Sequence, residues 1–273
     1  MLSIIIVNFK NPPLLRLCLK SLEQNLNAGF DYETIIVDSE SSVETQNLTK
    51  EEFPKFKLLP FKTNIGYTKA VNEGIKASQG DFVLILNPDI ILLKNAVETM
   101  YDFMKKNKEI GLLGPQLLNF DGTRQNSCFK FYNPLTILYR RSFLGYLPFA
   151  KKVLNNFLMT DANLTKTAKV DWLMGSAIMA SKKAVGKVGL MDENFFLYMS
   201  DVDWARRFWE NGYEVVYYPE VKIYHYHKRV SYGRFGIFDF LFKKETRWHL
   251  KDALKYFKKY GLFNTSRNSI YAI

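Results

Sequence analysis

A chain of 273 residues with 47% hydrophobic and 24% charged content has the length and balance of one large α/β domain, or a domain with an appendage, and excludes intrinsic disorder. No apolar run reaches the roughly 18 residues of a membrane-spanning helix, and LSIIIV at residues 2–7 is too short for a signal peptide and lacks its basic start, so a cytosolic protein is expected. The net charge of +11 draws the molecule toward polyanions (nucleotide phosphates, nucleic acid or an acidic leaflet) without choosing among them.

The first ninety residues alternate short β-type apolar runs with amphipathic stretches, which predicts a largely parallel sheet with helices on its faces. LSIIIV is the first buried strand. Pro12 and Pro13 open a helix in which Leu14, Leu15, Cys18, Leu19 and Leu22 recur at helical spacing. ETIIVD is the second strand, SESSVETQN offers hydroxyl and acidic caps for a short helix, and FKLLPF is a third, weaker strand. NIGYTKAVNEGIKASQG predicts a turn and a helix with Ala70, Val71 and Ile75 inward. The continuous apolar run of DFVLILN marks a central strand. NAVETMYDFMKKN is a helix capped by Asn95, burying Val97, Met100, Tyr101 and Met104, and EIGLLGPQLLNFDGT is β-like and turn-rich.

From Thr123 to Lys169 regularity fades, and no structure is assigned beyond a lid or acceptor-contacting loop. After it come a strand, a short helix, a loop with Asp192 and Glu193, a helix closed by Asn211 and Gly212, and a strand pair, YEVVYYP and VKIYHYH. In the tail from Phe238 to Tyr260, Leu250, Ala253, Leu254 and Phe257 share one helical face, and Lys251, Lys255, Lys258 and Lys259 the other. Cys18 and Cys128 have neither metal-ligand spacing nor a paired framework, so reduced structural thiols are expected.

In an open α/β sheet, ligands bind beyond the carboxyl ends of the strands. Asn8 follows the first strand, Asp38 the second, and Asn87 with Asp89 the fourth, in the segment VLILNPDIILL. Asp and Asn are also common turn residues. Grouped acids, however, repel one another unless a cation or a donor-rich ligand compensates, and this favours a shared ligand site.

Taken in order, these segments resemble a family 2 glycosyltransferase of the GT-A fold, close to the rhamnosyltransferase-like branch that builds bacterial surface polysaccharide. The resemblance runs through SIIIVNF, CLKSL, IIVDSES, NIGYTKAVNEGI, GDFVLILNPD, GPQLLNFDG, GSAIMASKKAVGKVGLMDENFFLYMSDVDWARR and YYPEVKIYHYH, most of the chain. It implies an α/β, Rossmann-like GT-A fold with a mixed, mainly parallel central sheet flanked by helices and a C-terminal helical extension. Residues 1–235 would form the catalytic domain (1–115 the nucleotide-sugar-binding half, 116–235 the acceptor-binding half), and 236–273 a basic amphipathic helical tail.

The resemblance also implies roles. Val7, Asn8, Phe9, Asp38, Asn64, Asn72 and Asn87 would hold the donor nucleotide, and Asp38 would accept from the N3 hydrogen of uracil or thymine, a donor that cytosine lacks. NPD stands at the family's DxD motif. Asp89 would coordinate Mg²⁺ or Mn²⁺ and His225, ahead of His227, would complete the metal or diphosphate site, while Asn87 leaves one carboxylate fewer than usual. Asp201 is assigned as the general base, with Asp203 second, although Ser200 and Asp203 also have the spacing of a capping box. Ser200 replaces the family's usual Glu beside that base. Asp192 and Glu193 would face the acceptor or anchor a loop. Trp172, with Phe195, Phe196 and Tyr198, would stack on sugar or fill the core, and Lys228, Arg229 and Arg234 would neutralise diphosphate or stay solvated.

The function so implied is inverting transfer of a sugar, rhamnose or similar, from a dTDP- or UDP-sugar to a cell-surface polysaccharide or a saccharide or lipid-linked saccharide acceptor. The alternative is a catalytically silent nucleotide-sugar binder or scaffold in a polysaccharide synthase complex. Nucleic acid is not an expected partner, because the aromatics lie within apolar runs rather than alternating with cations. The basic tail suggests peripheral contact with the inner face of the cell membrane, and a homodimer is the oligomer considered.

Overall fold

A computed structural model describes residues 1–226 and 242–262. In β1 (Leu2–Phe9), Leu2, Ile4 and Ile6 enter one apolar layer and Ile5 and Val7 the other. A strand apolar on both sides must be covered on both faces, and helices do this. α1 (Pro12–Asn25) begins at its prolines, is capped by Asn11 and buries Leu15, Cys18, Leu19 and Leu22. β2 (Tyr32–Ser39), α2 (Val43–Glu52) capped by Ser42, β3 (Lys57–Pro60), α3 (Tyr67–Ala77) and β4 (Phe82–Leu86) complete a four-stranded parallel half.

The second half contains β5 (Ile90–Ile91), α4 (Ala96–Lys106), β6 (Ile110–Leu118), β7 (Cys128–Phe129), α5 (Pro134–Arg140), a 3-10 turn at Phe143–Tyr146 and α6 (Pro148–Leu158). There follow β8 (Ala168–Lys169), β9 (Trp172–Leu173), β10 (Ala177–Ser181), α7 (Lys182–Val188), α8 (Ser200–Glu210), β11 (Glu214–His225) and α9 (Lys244–Tyr260). The main sheet runs β3-β2-β1-β4-β10-β6-β11-β5, with β8 also on β11, and β7 pairs with β9 in a separate ribbon. β10 is antiparallel to both neighbours, whereas β6 and β11 are parallel, so the sheet is mixed.

Several expectations need correction. The two strands expected at residues 213–227 are one, β11, with a register shift between Tyr218 and Lys222. Pro219 lies in that interval, where its missing N–H costs no ladder bond. Residues 123–169, where no regular structure is expected, contain β7, α5, the 3-10 turn, α6 and β8. Asn95 sits at φ 61° and makes no side-chain cap. Ser200 is the first residue of α8 rather than its cap, which is Met199 at φ 64°. On α9 the buried face is Thr246, Asp252, Ala253 and Tyr256, and Leu254 is 73% exposed.

Cys18 and Cys128 are free and buried, and burial pushes both thiols up to about 12, which keeps them protonated and inert. Among the described residues no helix is long and apolar enough to cross a membrane.

Candidate active site

β4 ends in Asn87-Pro88-Asp89, and this loop is tied down by backbone bonds. Asn87 N donates to Ser176 O at 2.9 Å and Tyr226 N donates to Asp89 O at 2.9 Å. Because β5 pairs antiparallel with β11, Ile90 lies opposite His225 and brings Asp89 beside it, with Oδ1 3.5 Å from His225 Nε2. Gln125 sets the imidazole. Its Nε2 donates to His225 O at 2.7 Å and to Asn119 Oδ1 at 2.7 Å, which leaves Oε1 for His225 Nδ1 at 2.9 Å. Nδ1 therefore carries the hydrogen in the neutral ring, and Nε2 turns a lone pair toward Asp89.

Asp89 Oδ1 is buried and accepts no hydrogen bond. Two electron-rich atoms facing each other at 3.5 Å are mutually repulsive unless a proton or a metal cation stands between them. The donor set of imidazole nitrogen and carboxylate oxygen, with the Asn87 amide nearby, suits a divalent ion such as Mn²⁺ or Mg²⁺. Among the described residues no cluster of three or more His, Cys, Asp or Glu could hold a metal ion. Asp89 and His225 with Asn87 would hold such an ion, whose remaining ligands would have to come from the substrate and water.

A cavity of about 730 Å³ opens over these strand ends. Of the residues expected in the site, Val7, Phe9, Asn64, Asn87, Asp89, Trp172, Asp201 and His225 line it. Ser39 at the end of β2 lines it too, accepting from Ile65 N at 2.9 Å and donating to Asn64 Oδ1 at 3.3 Å. Gly66, in the same turn, has φ 77°, and a side chain there would lie 2.7 Å from Phe196, so the turn into α3 can close only on glycine.

Asp201 occupies the first turn of α8. Its Oδ2 accepts from Gly175 N at 3.1 Å and its Oδ1 from Val202 N at 2.9 Å. Tyr67 fixes the Gly175 peptide by donating to its carbonyl at 2.5 Å. Burial pushes the Asp201 carboxyl up to about 6, although the Gly175 and Val202 N–H groups pull it down. A carboxyl balanced near that value can both take and hold a proton close to neutral pH.

Seven expected residues are not on the cavity wall, Phe195 among them as a core side chain. Asn8 and Asp38 are fully enclosed beneath it and paired with each other, Asn8 Nδ2 donating to Asp38 Oδ1 at 2.7 Å. Asn72 is a buried strut that donates to Met191 O at 2.9 Å and Glu193 Oε1 at 2.9 Å and accepts from Met191 N at 3.0 Å. Asp192 accepts from Lys259 at 2.7 Å. Asp203 is enclosed and accepts from Arg207 Nε at 2.9 Å, Lys259 Nζ at 2.7 Å and the Tyr260 hydroxyl at 2.7 Å, so it anchors α9. His227, Lys228, Arg229 and Arg234 lie outside the described residues.

Other wall residues had not been singled out: Tyr67, Gln125, Arg140, Arg141, Trp248 and His249. Arg141 Nε donates to His249 Nδ1 at 3.0 Å, and burial, helped by both arginines, pushes that imidazole down to about 3, so it stays neutral. Asp252 of α9 supports the wall from behind, accepting from the N–H groups of Phe196, Leu197 and Tyr198 at 3.1–3.2 Å. Asp252 gave no signal in the sequence, because it falls among Lys251, Lys255 and Lys259 on the face opposite Leu250, Leu254 and Phe257. Gln125 and the arginines sit in a segment without periodicity and gave none.

The family model for glycosyl transferase family 2 matches residues 3–164. The N-acetylglucosaminyl-diphospho-decaprenol L-rhamnosyltransferase of Mycobacterium tuberculosis is 29% identical over 247 residues, 85% of this chain and 78% of that protein. The rhamnosyltransferase WbbL of Escherichia coli is 25% identical over 260 residues, 87% of each. A crystal structure of GalNAc-T7 with UDP, GalNAc and Mn²⁺ matches with a TM-score of 0.64 at 14% identity, over 84% of this chain and 44% of that one. This chain spans less than half of that structure, and the likeness speaks for the GT-A fold alone. On the family match the conclusion is direct: the chain belongs to glycosyl transferase family 2 and is a glycosyltransferase.

Proposed function

We propose that this glycosyltransferase moves rhamnose or a similar sugar, with inversion, from a dTDP- or UDP-linked donor to a lipid-linked or polysaccharide acceptor. The observation that carries the reading is the meeting, in one cavity, of the Asp89–His225 pair and the raised carboxyl of Asp201. Support for the sugar and the acceptor comes from the names of the relatives, one a rhamnosyltransferase whose acceptor is a sugar diphosphate on a decaprenol.

The base and ribose are received by Val7, Phe9, Ser39 and Asn64, with the Asn8–Asp38 pair beneath them. Asp38 Oδ2 and Asn8 Oδ1 are buried without hydrogen-bond partners, and the single N3 hydrogen of a uracil or thymine that reached them would satisfy Asp38. Asp89 and His225, with Asn87, would hold Mg²⁺ or Mn²⁺, which supplies charge neutralisation for the diphosphate. Asp201 takes the proton of the acceptor hydroxyl as its oxygen forms a bond to the anomeric carbon. The bond from that carbon to the diphosphate breaks on the opposite side, and the nucleoside diphosphate leaves with the electron pair. A silent binder would have no use for an acid poised as Asp201 is.

Asp201→Asn tests this reading, because it keeps the shape and removes the base. Transfer from dTDP-rhamnose is expected to fall by about 10² to 10⁴, while calorimetric binding of dTDP with Mn²⁺ stays at the wild-type level. Transfer within a few-fold of wild type moves the base elsewhere. A matching screen of dTDP-, UDP- and GDP-sugars identifies the donor.

A further inference from the structure

The helical insertion between β7 and β8 has a face that the rest of the described fold leaves uncovered. Phe143 and Tyr146 on the 3-10 turn are each 78% exposed, and Phe149 and Leu135 beside them 58% and 48%. The hairpin is nonetheless closely built. A side chain at Gly145 would lie 2.4 Å from the Tyr139 carbonyl oxygen, and Phe149 packs edge-on to Tyr139 at 5.9 Å. Ile137, Ala150 and Phe157 are buried on its other side.

Charge tells what such a face would meet. Between Asp121 and Asp161 the sequence carries no carboxylate, and of its six cations Arg140 and Arg141 face the cavity, Lys130 pairs with Asp171, and Lys151 and Lys152 follow the aromatic turn. Lys151 and Lys152 are exposed next to the aromatic turn. Exposed aromatics flanked by lysine without any acid are the composition of elements that lie in the interface of an anionic bilayer. A protein partner would have to supply a groove for each aromatic side chain, whereas a leaflet accepts them without one. α9, the segment expected to serve this purpose, has Lys255 and Lys259 engaged with Asp252, Asp192 and Asp203.

We propose that the α5–α6 hairpin is an interfacial docking element that seats this protein on an anionic lipid leaflet through Phe143, Tyr146 and Phe149, with Lys151 and Lys152 on the headgroups. The hairpin also contributes Ile137, Arg140 and Arg141 to the cavity wall. One element thus joins the bilayer to the acceptor side of the site. That last link rests on the lipid-linked acceptor proposed above, and the docking itself does not.

The test is flotation of the full chain with vesicles of phosphatidylethanolamine and phosphatidylglycerol, against vesicles of phosphatidylcholine alone. Wild type is expected to float with the first and much less with the second. The double variant Phe143→Ser, Tyr146→Ser is expected to lose roughly a hundredfold in partitioning, about tenfold for each aromatic returned to water. Its hydrolysis of the soluble nucleotide-sugar should be unchanged, which separates a failure of docking from a failure of the glycosyltransfer reading. A second readout does not depend on the serines being tolerated: Phe143→Cys, labelled with an environment-sensitive fluorophore while Cys18 and Cys128 stay buried, should shift to the blue on the anionic vesicles. Equal flotation of wild type and double variant, an unshifted label, or a wild type that stays with the soluble fraction overturns the proposal. So does light scattering that finds a wild-type dimer and a monomeric double variant, since the face would then belong to a second copy.

Discussion

Asp201 stands between two charge states, and this makes its role measurable. With the carboxyl pushed up to about 6 by burial, the fraction able to accept a proton falls about tenfold for each pH unit below that value and saturates above it. kcat/KM should therefore rise with pH through about 6 and then level, and Asp201→Asn should remove the inflection along with most of the rate. A wild-type profile flat down to pH 4.5 would place the base elsewhere. The Asp89–His225 pair has its own test in Gln125, a cavity-wall residue that holds the imidazole through His225 O and Nδ1. Gln125→Leu should weaken Mn²⁺ binding, followed by water-proton relaxation, by about 10- to 100-fold. Gln125→Glu keeps an acceptor toward Nδ1 but sets a carboxylate oxygen against His225 O and Asn119 Oδ1, so it should restore binding only in part; equal binding in all three proteins would show that the ring needs no such support. Asp89 was legible because motif and strand end coincide at it, and Asp201, in the first turn of α8, only through the family resemblance of FFLYMSDVDWARR. Gln125 was not, because its importance comes from β5 pairing with β11, a contact that nothing local announces.

At the scale of elements, the loop leading into α8 is held from behind. The loop Phe196–Tyr198 that leads into α8 has three N–H groups turned onto the buried Asp252 carboxylate of α9. Asp252→Ala leaves three donors inside the fold without an acceptor, at a cost of about 3 kcal/mol or more in urea unfolding. Because Asp201 lies three residues beyond Tyr198, kcat should fall as well while nucleotide binding holds; loss of stability with full kcat would mean that the loop does not set α8. The parallel half of the sheet was readable since β1, β2 and β4 are apolar on both faces and α1 and α3 follow a 3.6-residue period. β11 was read as two strands because proline usually ends one, and a bulge there absorbs it instead. The insertion at residues 134–158 escaped because its pieces are short: seven residues in α5, four in the 3-10 turn and eleven in α6 give too few turns for a period to show.

For the whole molecule, the question is whether the C-terminal helix is an appendage or part of the catalytic body. Its sequence reads as a basic amphipathic tail, yet its contacts are those of a wall. Glu245, Trp248 and His249 line the cavity, Arg206 is sandwiched against Tyr260 at 4.3 Å, and Asp203 takes two of its three described partners from Lys259 and Tyr260. Ending the chain at Lys243 would leave Asp203 enclosed with Arg207 alone, Asp252's three donors empty, and the buried positions of Ala253 and Tyr256 open to water. Breaking one buried charge arrangement costs about 3–5 kcal/mol, and the lost apolar burial adds to it. That total is comparable with the whole stability of a domain. The truncated chain is therefore expected to lose cooperative urea unfolding, or to show a much lower midpoint, and to lose donor hydrolysis together with it. A truncated protein that unfolds at the wild-type midpoint and still releases nucleoside diphosphate would return α9 to the status of a tail, and the cavity would then have to be complete without Trp248 and His249.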